Sequence, residues 1–134
     1  MKTTLDKNKH SAYLLYFHLV LVVKYRRKAI DDEISEFLKS EFSRLGEPHG
    51  IILGEWNHDN DHVHMMFRSV PNVDISKVIM SYKSVSSRFV KQKYPWIKQV
   101  LWKNVFWPRS YCLLTTGGAP IDTIRKYIQS QRQQ

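Results

Sequence analysis

Hydrophobic and polar positions divide the chain into segments of two periods. Over residues 12–24, AYLLYFHLVLVVK, aromatic and β-branched residues run almost unbroken, the pattern of one long buried strand. The basic KYRRK ends it. Between Asp31 and Leu45, Ile34, Phe37, Leu38, Phe42 and Leu45 recur at three- and four-residue spacing behind first-turn acids, which predicts an amphipathic helix stopped by Gly46 and Pro48. GIILGEW and HVHMMF read as two short strands across the polar NHDND, a β-hairpin with a loop of several residues. A second helix is predicted from an Asp74 N-cap to about Tyr94, where Ile75, Val78, Ile79, Tyr82, Val85, Phe89 and Val90 keep helical spacing. Lys77, Lys83, Arg88 and Lys91 fall on its other face. After an irregular aromatic stretch, RSYCLLTT reads as a last strand, Gly117-Gly118-Ala119-Pro120 as a turn, and Ile121 to about Arg132 as a terminal helix.

The order β-α-β-β-α-β-α fits an α+β domain of ferredoxin-like or RRM-like type: an antiparallel sheet with helices on one face and an added C-terminal helix. With 134 residues, 43% of them hydrophobic, and no repeat or linker, the expectation is a single domain over 1–134. Such folds often present a sheet face to single-stranded nucleic acid, but a fold does not fix an activity.

Charge narrows the partner. The 21 Lys and Arg against 12 Asp and Glu give +9 and a pI near 9.7, a surplus that favours a polyanion. Aromatics interleave with cations in Lys24-Tyr25-Arg26-Arg27-Lys28 and in Trp102-Lys103-Asn104-Val105-Phe106-Trp107-Pro108-Arg109, where rings can stack on exposed bases while cations hold phosphates. Cys112 is the only cysteine, which excludes an intrachain disulfide framework and a thiolate zinc cluster. Apolar runs such as Leu19 to Val23 fall far short of the roughly 20 residues that cross a bilayer, and MKTTLDKNKHS lacks an apolar signal core. A cytoplasmic protein without membrane contact is expected.

Candidate chemistry concentrates in NHDNDHVHMMF. On a strand, His62 and His64 point the same way, and two imidazoles on one face can grip a divalent cation. Taken alone, so short a motif more often means that one is a buried hydrogen-bonded histidine while the other sits exposed. His58 and His62 have zinc spacing for a helix, but Asn57, Asp59, Asn60 and Asp61 are turn formers, so no helical pair is expected. Asp61 could add a ligand or orient a ligand histidine through its second ring nitrogen, whereas Asp59 reads as a solvated turn residue. Tyr127 and Gln131, four residues apart, share one face of the terminal helix. A phenol oxygen can attack phosphorus and an amide carbonyl is a hard donor for magnesium or manganese. The plainer alternative is a packing tyrosine above a solvated glutamine.

His62-Val63-His64 on a strand, followed by Tyr127-x-x-x-Gln131 on a C-terminal helix, resembles the single-tyrosine HUH transposases of small bacterial insertion sequences, the TnpA-like enzymes of single-stranded DNA transposition. HLVLVVKYRRK is similar to the family's first strand and basic turn, DHVHMMF to its histidine strand, and TTGGAPIDTIRKYIQSQ to its glycine turn and catalytic helix; IQS stands where IEN is more usual. The histidine motif is shared with rolling-circle initiators and relaxases, but the short length, one tyrosine on the last helix and Gln131 point to the transposase branch.

The resemblance implies a nickase and strand transferase acting on single-stranded DNA with hairpins at element ends, through a 5′-phosphotyrosine on Tyr127. It implies a divalent metal, Mg2+ or Mn2+, held by His62, His64 and Gln131, and a homodimer in which Tyr127 can act in trans. Lys24, Arg26, Arg27, Lys28, Lys83, Arg88, Trp107 and Arg109 are the expected DNA contacts. The alternatives are a transposase-like protein acting on repetitive extragenic palindromes and a noncatalytic RRM-like single-stranded nucleic-acid-binding module.

Overall fold

In the computed structural model, which describes residues 6–8, 11–13, 15–115 and 121–133, the first apolar run is two elements rather than one strand. Strand β1 (Asp6–Asn8) pairs antiparallel with β2 (Ser11–Tyr13) as a separate hairpin, and the long strand β3 is Leu15–Val22. It ends where Tyr25 and Arg26 take up left-handed φ of 59° and 56°, a conformation that cannot continue a ladder.

Strand β3 lies inside a four-stranded antiparallel sheet with β4 (Ile52–His58), β5 (His62–Ser69) and β6 (Cys112–Leu114), in the order β4-β5-β3-β6. That is the ferredoxin-like arrangement expected. Helix α1 (Asp32–Gly46) begins at Asp31, whose carboxylate accepts from the Ile34 amide at 2.8 Å, and α2 (Ile75–Lys93) begins at Asp74, which accepts from Lys77 at 3.2 Å. Both pack on one face of the sheet. There Leu19, Leu21, Val63, Met65 and Phe67 are buried with Ile34, Leu38 and Phe42 of α1 and Val78, Ile79 and Tyr82 of α2. Tyr82 also donates its hydroxyl to the Leu38 carbonyl at 2.9 Å, tying α2 to α1.

The period of two puts Val20 and Val22 on the opposite face, where they meet Ile124 of the terminal helix α3 (Ile121–Ser130). Three boundaries differ from the sequence reading. Asn57 and His58 pair with His64 and Val63, so β4 runs on and the hairpin loop shrinks to residues 59–61, with the Asp59 amide donating to the His62 carbonyl at 3.0 Å. Of RSYCLLTT, the described residues 109–115 form a strand over Cys112–Leu114, and the Arg109 and Ser110 carbonyls before it accept from the Lys83 ammonium rather than from a neighbouring strand. The terminal helix gives way at Gln131 to a tighter 3-10 turn, Gln131–Gln133. The glycine turn lies outside the described residues. Among those described, no helix is long and apolar enough to cross a membrane.

Candidate active site

Register fixes where the histidines stand. His62 pairs with Val22 and His64 with Val20, so both imidazoles share the face on which α3 lies. Tyr127 packs against the cluster formed by Val20, Val22 and Ile124, over the very positions paired with the two histidines. The 3-10 turn Gln131–Gln133 packs on the turn Lys24–Arg26 that follows β3, at the sheet end where His62 stands. The far end of the chain thereby lies on the same sheet face as the two histidines, along β3 and the turn that follows it.

Each histidine is oriented. His62 Nδ1 lies 2.8 Å from Asp61 Oδ1, which directs Nε2 away from the carboxylate, the arrangement that commonly supports a metal-ligating imidazole. Asp61 is itself 5% exposed and takes Arg26 Nε at 2.9 Å on its other oxygen. Asp61 therefore orients a histidine, one of its two sequence-level options, while Asp59 is exposed as expected. His64 Nε2 lies 3.3 Å from Nδ1 of His18, a buried histidine whose own Nε2 has no partner among the described residues. Burial, reinforced by His18 and His62 and opposed by Glu55, pushes the His64 pKa down, which favours the neutral, ligating imidazole. His58 is turned outward to Asp32 at 3.0 Å.

Tyr127 donates its phenol to Ser110 Oγ at 3.0 Å, and Ser110 in turn donates to Gln131 Oε1 at 3.0 Å. Gln131 is 2% exposed, so the solvated glutamine considered from sequence is ruled out. Burial raises the Tyr127 pKa, the Ser110 bond opposes this, and neighbouring Cys112 adds to it, so the resting phenol is protonated at neutral pH. Among the described residues no three His, Cys, Asp or Glu side chains converge as a metal cluster. A cation here would need the amide oxygen of Gln131 beside the two imidazoles, a borderline-to-hard donor set that fits manganese or magnesium with further positions left for substrate or water. The unpartnered nitrogen of His18 means that the histidine cluster holds more donor capacity than the protein itself satisfies.

The expected DNA contacts divide. Arg27 and Lys28 are exposed, and Lys24 Nζ sits 4.9 Å from the Tyr25 ring centroid and 5.9 Å from that of Trp102. Tyr25 and Trp102 meet edge to face at 5.0 Å, which makes Trp102 part of a half-exposed cation–aromatic patch. Arg26 spends its Nε–H on Asp61. Arg88 and Arg109, joined by Lys91 and Lys98, line a groove of about 650 Å³ that has no carboxylate among its lining residues. Lys91 has its pKa lowered by burial and by repulsion from Lys98.

Two residues are corrected. Lys83 is only 7% exposed and donates to the Arg109 and Ser110 carbonyls at 2.8 and 3.4 Å, so its charge is committed to backbone. Trp107 is likewise 7% exposed, with Nε1 bonded to Ser86 at 3.1 Å, and offers no ring for stacking. Ser110, His18 and the anchoring role of Lys83 are the site features that sequence reasoning missed. A signal existed for Lys83: Ile79, Lys83, Ser86 and Val90 fall on one helical stripe.

Comparison with known proteins identifies the family. The family model Transposase IS200 like matches residues 11–131. The chain is 31% identical over 127 residues to the ISDra2 transposase TnpA of Deinococcus radiodurans, covering 95% of this chain and 91% of that one. It is 27% identical over 122 residues to the transposase for insertion sequence element IS200 of Salmonella typhimurium, covering 91% and 80%. A crystal structure described as a transposase from Deinococcus radiodurans superposes with a TM-score of 0.85 at 28% identity, covering 95% of this chain and 98% of that one. A REP-associated tyrosine transposase bound to a REP hairpin shares the fold at a TM-score of 0.58 and 11% identity, covering 91% and 68%. With a family match over nearly its whole length and a relative 31% identical over 95% of it, the chain belongs to the IS200-like transposases.

Proposed function

We propose that this transposase nicks and rejoins single-stranded DNA at hairpin-marked element ends, with Tyr127 as the nucleophile and a 5′-phosphotyrosine as the intermediate. The observation that carries the reading is the placement of Tyr127 over Val20 and Val22, the partners of His64 and His62 in the sheet. A magnesium or manganese ion bound by His62, His64 and Gln131 would neutralise charge developing on the scissile phosphate and on the departing 3′-oxygen.

The protein's own groups do the rest. Asp61 holds His62 in one orientation, and packing on β3 holds Tyr127 at the sheet face. As the Tyr127 oxygen bonds to phosphorus, the P–O3′ bond breaks, the phenol loses its proton and the leaving 3′-oxygen gains one. The phosphate ester stays on the protein with its energy conserved. A second 3′-hydroxyl can then attack it, expelling the tyrosine and joining strands without a nucleotide cofactor.

DNA would be held by Lys24, Arg27 and Lys28 beside the Tyr25–Trp102 patch, and by Arg88, Lys91, Lys98 and Arg109 along the groove. Patch and groove suit different parts of such a substrate: rings stack on unpaired bases, whereas cations without rings follow a phosphate backbone. One of the similar folds is described as bound to a hairpin, which accords with this reading. A homodimer exchanging α3 would place Tyr127 of one chain at the histidines of the other; within a single chain Tyr127 meets its own Ser110. Full-length likeness to insertion-sequence transposases supports this branch over a palindrome-associated or noncatalytic one.

The test incubates protein, manganese and labelled single strands bearing candidate element ends, and resolves covalent adducts on denaturing gels. Wild type should retain label and Tyr127→Phe none. Adduct formation by Tyr127→Phe would remove Tyr127 from the role.

A further inference from the structure

Gln131 is hydrogen-bonded at both its amide oxygen and its amide nitrogen. Tyr127 O–H donates to Ser110 Oγ at 3.0 Å, and Ser110 donates its one proton to Gln131 Oε1 at 3.0 Å. On the other side of the amide, Gln131 Nε2 donates to Ser130 Oγ at 3.2 Å, and Ser130 donates to the Tyr127 carbonyl at 2.7 Å. The Ser130 contact assigns the amide, nitrogen toward Ser130 and oxygen toward Ser110. A single hydroxyl thus touches both the proposed nucleophile and the proposed amide ligand.

Ser110 is in turn held from across the sheet edge. It precedes β6 and belongs to an irregular stretch, yet its main chain is fixed by the buried Lys83 of α2, whose ammonium reaches the Arg109 and Ser110 carbonyls at 2.8 and 3.4 Å. Tyr111 adds a second tie, with its ring centroid 5.4 Å from Lys83 Nζ and its hydroxyl 3.4 Å from Ser76 Oγ. Lys83 has no acidic partner among the described residues. Burying an ammonium is costly, and carbonyl bonds compensate it only while the loop keeps this shape. The backbone is therefore gripped by α2 on one face of the sheet, while the Ser110 side chain grips α3 on the other.

We propose that Ser110 is a positioning residue for the reaction, holding the Tyr127 phenol oxygen and the Gln131 amide oxygen on one hydroxyl, and that Lys83 positions Ser110. This rests on the assignment of Tyr127 and Gln131 above. A hydroxyl has the chemistry that such a role needs, because it can accept from the neutral phenol and donate to the amide oxygen at the same time. A serine need not act as a base for this. Threonine preserves the group, alanine deletes it, and Lys83→Met deletes the clamp while keeping a long apolar stem.

The experiment uses the full chain in two arms. In the first, single-turnover adduct formation is timed with manganese and a hairpin-bearing single strand. Ser110→Ala should slow adduct formation about 10- to 100-fold at saturating DNA while leaving DNA affinity within about twofold; outer partners of site residues typically matter by that factor. Ser110→Thr should restore most of the rate, and Lys83→Met should fall between. In the second arm, manganese affinity is measured by calorimetry on Tyr127→Phe protein with and without Ser110→Ala, which needs no turnover. Loss of the hydroxyl should weaken manganese binding about 10-fold or more, because Gln131 Oε1 is no longer held. Unchanged adduct rate and unchanged manganese affinity in Ser110→Ala would overturn the proposal. So would a rate loss that Ser110→Thr shares in full and that tracks a lowered melting temperature, since that is a folding defect. Absence of any adduct in wild type would count against Tyr127 as nucleophile, while the calorimetric arm still decides whether Ser110 holds Gln131.

Discussion

Asp61 bonds two side chains at once, and the stability it contributes depends on pH in a determined direction. Burial alone would raise its pKa, but the hydrogen bonds and charges of His62 and Arg26 more than offset this and hold it below its ordinary value of 3.8. A depressed carboxylate stabilises the fold fully above its unfolded value and loses that contribution as pH falls through the lower native value. Asp61→Asn should therefore cost about 2–3 kcal/mol near neutral pH, as breaking a largely buried pair does, with the gap to wild type closing below about pH 4. Melting curves from pH 7 to pH 3 check this; a gap that is constant in pH would mean that charge plays no part. At this scale the sequence was partly legible. Alternation put His62 and His64 on one face of a strand and helical spacing put Tyr127 and Gln131 on one face of a helix, while their roles came only from the resemblance. Ser110 and His18 could not, because each acquires its role from residues distant in the chain: Ser110 through a loop fixed by Lys83, His18 through the strand pairing that brings it to His64.

Helices were read well wherever the period and the cap agreed. Asp74 caps as its position suggested, and Asp31, read from sequence only as the start of the first helical segment, caps as well, since a carboxylate before an apolar-periodic run has an unpaired amide within reach. Helix α2 was misread on one stripe only. Long charged residues were assigned to its outer face by type, although Lys83 lies in line with Ile79 and Val90, and a buried ammonium is tolerated there because two carbonyls receive it. Strand ends were less legible. Where β3 stops depends on left-handed Tyr25 and Arg26, and β6 begins only after the Arg109 and Ser110 carbonyls, which Lys83 takes. The union of α1 with α2 has a sharp test in Tyr82, which is wholly buried and bonded to the Leu38 carbonyl. Tyr82→Phe should lower unfolding free energy by about 1 kcal/mol in urea titrations, without altering DNA cleavage, because it removes one net hydrogen bond and little packing. A loss several times larger would indicate that the hydroxyl organises more than this contact.

For the molecule as a whole, one face of the sheet carries the core and the other carries the proposed site, so under this proposal the activity depends on a terminal helix that contributes little to the main core. The chain carries a net charge of +9, and its basic turn and a groove lined by no carboxylate are the proposed DNA contacts, so DNA binding is expected to be steeply salt-dependent. Replacing Arg88 and Lys91 together by Glu should weaken hairpin binding and reduce the slope of log affinity against log salt by about 2, measurable by fluorescence anisotropy on Tyr127→Phe protein. An unchanged slope would place the DNA elsewhere. The central claim, that a phosphate is passed to Tyr127, has a still more direct readout. Trypsin cuts after Lys126 and Arg132, so YIQSQR leaves as one peptide with a single tyrosine. After reaction with manganese and a hairpin-bearing single strand, followed by nuclease trimming, mass spectrometry should find that peptide carrying a nucleotide through its 5′-phosphate. A nucleotide on Tyr111 or any other residue, or cut DNA with nothing retained on the protein, would contradict it.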